Sequence, residues 1–328
     1  CVTAEDYKVF VKRFYPNTEA VSIFGGESGS FDPVLGVSSV QEFGKVFISI
    51  KSTTGNFIPQ VEKRRLVERL SPFTVASITP VIVDPETLFL ILDVSSTFNP
   101  NLTTLTSNDL ESVIVNSLTN FNNNNLKTFN SAFRHSQVTK LIDDSDTSLT
   151  SNVTKVVMGK FFTPLLDESV GYTISFNNSI YNPHSKHNSD QGGVVASTGF
   201  KVSGDATNEM FLDDDGSGYI RRFFILAGVK NYLDDKAGTV DYATGTIKLN
   251  PLTVTLVSNV DNTSSTQIRI TSIPDSVDII PVRNQLIEID LINTIVNVSI
   301  DGAAVGDITT VATSNRATSS YTTSVSGY

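Results

Sequence analysis

The sequence predicts an α+β fold, with a ferredoxin-like split βαβ module in the first half and an all-β, hairpin-rich second half. Three observations carry this. Before about residue 165 apolar residues recur at both helical and strand spacing, whereas after it Asn, Ser, Thr, Gly and β-branched residues dominate with almost no helical period. The first half reads in the order strand, helix, strand, turn, strand, helices, strand, which is the split βαβ pattern. The 328 residues, 39% of them hydrophobic, suffice for two or three domains with a sizeable core. The expected division is an N-terminal helix and connecting segment (1–40), the ferredoxin-like module (41–164), a hairpin domain (165–255), and a strand region with a polar tail (256–328).

The elements follow in order. In VTAEDYKVFVKRFYP, Thr3 stands as an N-cap with Asp6 three residues on. Tyr7, Phe10, Val11 and Phe14 then form an apolar face that Pro16 ends. FGGESGS reads as a loop, because Gly25 and Gly26 lack the Gly-Lys-Ser/Thr of a phosphate-binding loop. KVFISIK (45–51) is strand-like, and QVEKRRLVERLSP places Leu66, Val67 and Leu70 on one helical face. TPVIV (79–83) is a second strand, Pro85 fixes a turn, and LFLILDVSSTF (88–98) is a third strand. Its run from Leu88 to Leu92 suggests cover on both faces. SNDLESVIVNSLTNF (107–121) is a helix capped by Ser107 or Asn108, with a buried stripe of Leu110, Val113, Ile114, Leu118 and Phe121. FNSAFRHSQVTKLIDD predicts another helix, with His135 at its surface or cap, and SNVTKVVMGKFF (151–162) a strand.

Beyond Pro164 the chain reads as hairpins. Thr-Gly at 244–245 turns TVDY into TIKL, and LTVTLV, TQIRITSI, LIEIDLI and VNVSI continue as strands. The Thr/Ser-rich end is a tail that needs a neighbour to become ordered.

Chemistry-bearing residues are sparse. The net charge of −10 argues against a nucleic-acid partner, and no apolar run reaches the length of a membrane helix. The opening residues lack a signal-peptide layout, and the absence of an initiator Met suggests a fragment or processed product. A single cysteine, Cys1, excludes an internal disulfide and a thiolate metal cluster. LDDDGSGYIRRF starts like a calcium loop at Asp213, Asp215 and Ser217. Its twelfth position is Phe224, which cannot coordinate a hard cation, so a tight hairpin is the expectation. His184, His187 and Asp190 could supply three zinc ligands but lack a fourth, which only an oligomer could complete. Asp109 and Glu111 suit a helix N-terminus better than a glycosidase pair. No catalytic residue, cofactor site or metal site is assigned. The remaining candidate is the basic cluster KRRLVER, in which Lys63, Arg64, Arg65 and Arg69 are either a solvated face or a contact for an acidic partner.

Over residues 2–158 the order of Thr-x-Glu-Asp-Tyr leading a helix, Gly-Gly after the next apolar run, and Asp-Pro-Glu before a long strand resembles the baseplate J-like family of contractile-tail phages. Within it, the C-terminal portion of T-even baseplate wedge subunits is the nearest pattern. The resemblance implies a virion structural subunit, not an enzyme, assembled in host cytoplasm. It would pair with itself as a homodimer or ring and join other wedge proteins and hub or sheath-initiating proteins. The ring would rearrange on tail contraction, with no cofactor, nucleic acid or membrane involved. The alternative is a tail-associated glycan-binding adhesin, which the β-rich half and nine Tyr permit.

Overall fold

The structure is a computed structural model that describes residues 1–28, 30–32, 36–38, 40–53, 55, 58–186, 193–260 and 263–304. The C-terminal tail from residue 305, with His187 and Asp190, lies outside them. The chain forms two compact units. The first contains Cys1–Leu88, Asn123–Ala132 and Ile280–Glu288, and the second contains the rest. The chain passes between the units after Leu88 and again at 122–123, 132–133, 279–280 and 288–289.

In the first unit, α1 (Ala4–Phe14) leads into β1 (Thr18–Gly25), followed by β2 (Ser30–Asp32), β3 (Gly36–Ser38), β4 (Lys45–Ser52), α2 (Gln60–Leu70) and β5 (Thr79–Val83). Thr3 and Asp6 close the expected capping box on α1. The central strand β4 pairs antiparallel with β1 and parallel with β5. Tyr7 and Val11 of α1 join Leu66 and Leu70 of α2 over Ile48, Ile50 and Ile82. The opposite sheet face holds Phe24, Phe47 and Val83, and Arg283, from the distant third segment, lies over the Phe24 ring. Gly26 follows β1 where the Glu42 carbonyl comes so close that a Cβ would stand 1.9 Å from it.

The second unit begins within β6 (Glu86–Phe98), which pairs antiparallel with β7 (Leu149–Phe162). Between them run α3 (Ser107–Phe121) and α4 (His135–Asp143), joined through a π-turn at Asn122–Leu126. β6 alternates, with Leu88, Leu90, Leu92, Val94, Ser96 and Phe98 buried and the residues between them only partly covered. Its apolar run is therefore one buried face plus a half-covered one, not a strand enclosed on both sides.

The remaining strands are β8 (Ser169–Ser175), β9 (Val195–Ser197), β10 (Phe200–Val202), β11 (Asp205–Asp214), β12 (Tyr219–Leu226), β13 (Val229–Asp241), β14 (Thr246–Val257), β15 (Ile268–Ser272), β16 (Gln285–Ile289) and β17 (Ile295–Ile300). The order β10-β14-β13-β12-β11 closes on itself through β10 and β11, making a five-stranded barrel with β8 on the outside of β14. Phe200, Met210, Leu212, Ile220, Ile247 and Val254 are buried along its strands. From β11 the sheet continues through β9 and β15 to β7, β6 and β16, while β17 runs parallel to β6.

The α+β class holds, but a single ferredoxin-like sheet over 41–164 does not form. β4 and β5 share a sheet with β1, whereas β6 and β7 belong to the large sheet. The two-residue break at Asp84–Pro85 separates β5 from β6, and the neighbours of β6 come instead from β16 and β17, nearly 200 residues later.

Candidate interaction surfaces

The candidate residues of the sequence fall at separate places in the structure. On α2 the basic cluster divides. Lys63 is 8% exposed and its Nζ sits 2.5 Å from Asp84 Oδ2, so it is a structural side chain of the first unit. Its position explains this, because 63, 66 and 70 fall on one helical stripe and Leu66 and Leu70 are core residues. Arg64, Arg65 and Arg69 remain on the exposed side. Arg65 pairs with Glu62 at 2.9 Å along the helix, and Arg69 donates to the Phe14 carbonyl at 3.4 Å. A face of three arginines thus survives, one charge smaller than the sequence suggested.

The acidic run is the turn of the β11–β12 hairpin, with Gly216 and Gly218 at φ 70° and 108°. Its carboxylates are occupied. Asp213, buried, accepts from Arg221 Nε at 3.0 Å, Lys230 Nζ at 2.9 Å and the Tyr232 hydroxyl at 2.9 Å. Asp214, also buried, accepts from the Val195 N–H at 2.7 Å, the Gly216 N–H at 3.3 Å and the Tyr242 hydroxyl at 2.6 Å. Asp215 Oδ1 accepts the N–H groups of Ser217 and Tyr219, closing the turn. Burial pushes the Asp214 carboxyl up, against the pull of those donors. Burial, and then the Asp213 charge, raises the Tyr232 hydroxyl to about 12. Asp213 and Asp214 thus spend their oxygens on donors within the chain, and Asp215 spends one of its two on the turn.

His184 is exposed, with Nδ1 3.2 Å from the Ser185 carbonyl oxygen. Its suggested companions His187 and Asp190 lie outside the described residues. His135 opens α4: its N–H donates to Asp278 Oδ1 at 2.9 Å, and its Nε2 lies 2.9 Å from the Thr154 carbonyl oxygen. Asp109 is the partner of the α3 cap, and Glu111 Oε1 accepts the Val298 N–H at 3.3 Å. These are supports within the fold.

Two features have no counterpart among the expected sites. Lys51, on β4, is buried, with its Nζ bonded to Glu288 and 3.8 Å from Glu19. The signal was present in KVFISIK, where Lys51 shares the alternation of Phe47 and Ser49. The other feature is the tip of the β12–β13 ribbon, where Ile225, Leu226 and Val229 stand 52%, 61% and 63% exposed around a turn at Ala227–Gly228.

The comparisons with known proteins divide the chain where its sheets divide. Residues 3–83 match the family model described as baseplate structural protein gp6, C-terminal domain I, and residues 86–160 match its C-terminal domain III. Over these residues the chain is similar to the gp6 baseplate structural protein. The break between the two gp6 domains coincides with the step from β5 to β6. The baseplate wedge protein gp6 of Enterobacteria phage T4 is 28% identical over 159 residues, which is 48% of this chain and 22% of that protein. The matched region therefore spans about a fifth of the length of that relative. Both matched models and this relative are structural proteins of a phage baseplate, so the similarity is to a virion component.

Proposed function

We infer that this chain acts through its interfaces: it self-associates, joins other wedge proteins into a ring around the tail hub, and re-forms those contacts when the tail contracts. The observation that carries this is the pair of adjacent gp6 domain matches over residues 3–160. The architecture suits the role, since each of the two compact units presents surface around buried residues of its own. Contacts with other baseplate components, including hub or sheath-initiating proteins, are the finer part of the reading. The Arg64, Arg65 and Arg69 face is the proposed contact for an acidic partner, because a charged surface steers docking and fixes its orientation.

Light scattering after size exclusion tests the first element. A species of at least twice the 35.5 kDa chain mass that persists on dilution supports self-association. A monomer up to the highest soluble concentration overturns it.

A further inference from the structure

We propose that the aromatic cluster of Phe10, Phe14 and Phe73, rimmed by Arg13 and Arg69, is the docking site for a segment of a partner protein that carries an apolar anchor between carboxylates. The proposal rests on the reading of the α2 arginines as a contact for an acidic partner, shares Arg69 with it, and supplies its anchor.

α1 and α2 pack on the same face of the first sheet, and Arg69 reaches the carbonyl of Phe14, the last residue of α1, at 3.4 Å. The end of α1 thus meets the turn that follows α2. Phe73 closes that 3₁₀ turn, Ser71–Phe73. Its ring stacks on Phe10 with 4.6 Å between centroids, and Phe14 lies 5.8 Å from each of them. Phe10 and Phe14 pack on the core beneath and are only partly buried. Phe73 stands above them, 44% exposed, with Val75 43% exposed two residues on. One exposed apolar side chain is ordinary on a protein surface, whereas a contiguous group of rings marks a place for a partner.

The occupant follows from charge. Arg13 comes three residues after Phe10 and so lies on the same side of α1. Among the described residues neither Arg13 nor Arg69 has a carboxylate partner, and Arg69 is bonded only to a carbonyl. Lys8 and Arg65, by contrast, are paired with Glu5 and Glu62 along their own helices. Glu68 is next to Arg69 in sequence but points about 100° away round α2. Aromatic rings beside arginine are the combination that dominates protein interfaces, and a guanidinium can donate two parallel hydrogen bonds to one carboxylate. A nucleic acid does not fit, because a polyanion is repelled by a chain of net charge −10. The three rings also hold one another in place, so docking freezes few side-chain torsions.

The test uses the full chain and a fluorescent peptide in which a Leu-Phe pair lies between glutamates, with a lysine-flanked version as its counterpart. In fluorescence anisotropy the glutamate peptide should bind wild type saturably, and Phe73→Ser should weaken it at least about tenfold, with circular dichroism confirming an unchanged fold. Arg13→Glu/Arg69→Glu should lose the glutamate peptide and take up the lysine-flanked one, a reversal that misfolding does not produce. Binding that Phe73→Ser leaves intact but Arg64→Gln/Arg65→Gln abolishes overturns the aromatic anchor while sparing the basic face of α2. No saturable binding by wild type overturns both. A wild-type oligomer that Phe73→Ser dissociates gives the patch to a second copy and overturns the acidic-partner assignment.

Discussion

Lys51 stands at a strand position whose neighbours on the same face are Phe47 and Ser49, and its charge is compensated by Glu288, supported by Glu19. Removing one member of a buried pair leaves an unpaired charge and typically costs about 3–5 kcal/mol, whereas replacing both with apolar groups is often neutral. Lys51→Met alone should therefore lower the denaturation midpoint sharply, and Lys51→Met/Glu288→Leu should recover most of the loss, as a double-mutant cycle in urea would show. Asp214 makes a contrasting prediction. Its folded-state pKa lies above the unfolded value because burial disfavours the anion. The native state then takes up its proton first, so this residue adds stability as pH falls through the raised pKa towards 4, and withholds it at neutral pH. The stability of Asp214→Asn relative to wild type should decline as pH drops from 7 to 4, and a pH-independent difference between the two melting curves would refute this. The exposed Asp278 behaves in the opposite sense. The His135 N–H and Arg134 hold its carboxyl below the ordinary value, so the stability it contributes is lost as pH falls below about 4.

Helices in this chain are set by what lies within a few residues of them. Thr106, not Ser107 or Asn108, caps α3, and it does so through a reciprocal box with Asp109. Thr106→Ala should cost about 1 kcal/mol in urea unfolding, and Thr106→Ser should restore nearly all of it. The same locality explains what the sequence disclosed. α1, α2, α3, β4, β5, β6 and β7 stand within two residues of their expected places, because caps, prolines and apolar period act over short range. β1 carries a weak signal, because it runs into Gly25-Gly26 and only Ala20 and Phe24 along it are fully buried. The partition into sheets was also hidden. Nothing local in LFLILDVSSTF says that its neighbours will be β7, β16 and β17 in place of β5. On α2, the buried role of Lys63 could have been read from its spacing to Leu66 and Leu70, but its partner Asp84 could not.

For the molecule as a whole, discontinuity of the first unit governs how it can be cut. A chain ending at residue 164 loses Glu288 from Lys51. It also loses Asn284, which donates to the Asp84 carbonyl and accepts the Glu86 N–H. Such a fragment should show poorly protected amides over residues 45–83 in hydrogen exchange, whereas residues 1–304 should protect them. Equal protection would mean that 280–288 is dispensable to this unit. The arrangement also imposes a timetable on synthesis. Residues 1–88 leave the ribosome before 280–288, and their lysine waits for a carboxylate encoded 237 positions later. At about 5–20 residues per second that is roughly 10–50 s during which the nascent sheet carries an uncompensated charge. This unit is thus begun before the barrel and completed only after the barrel has been made.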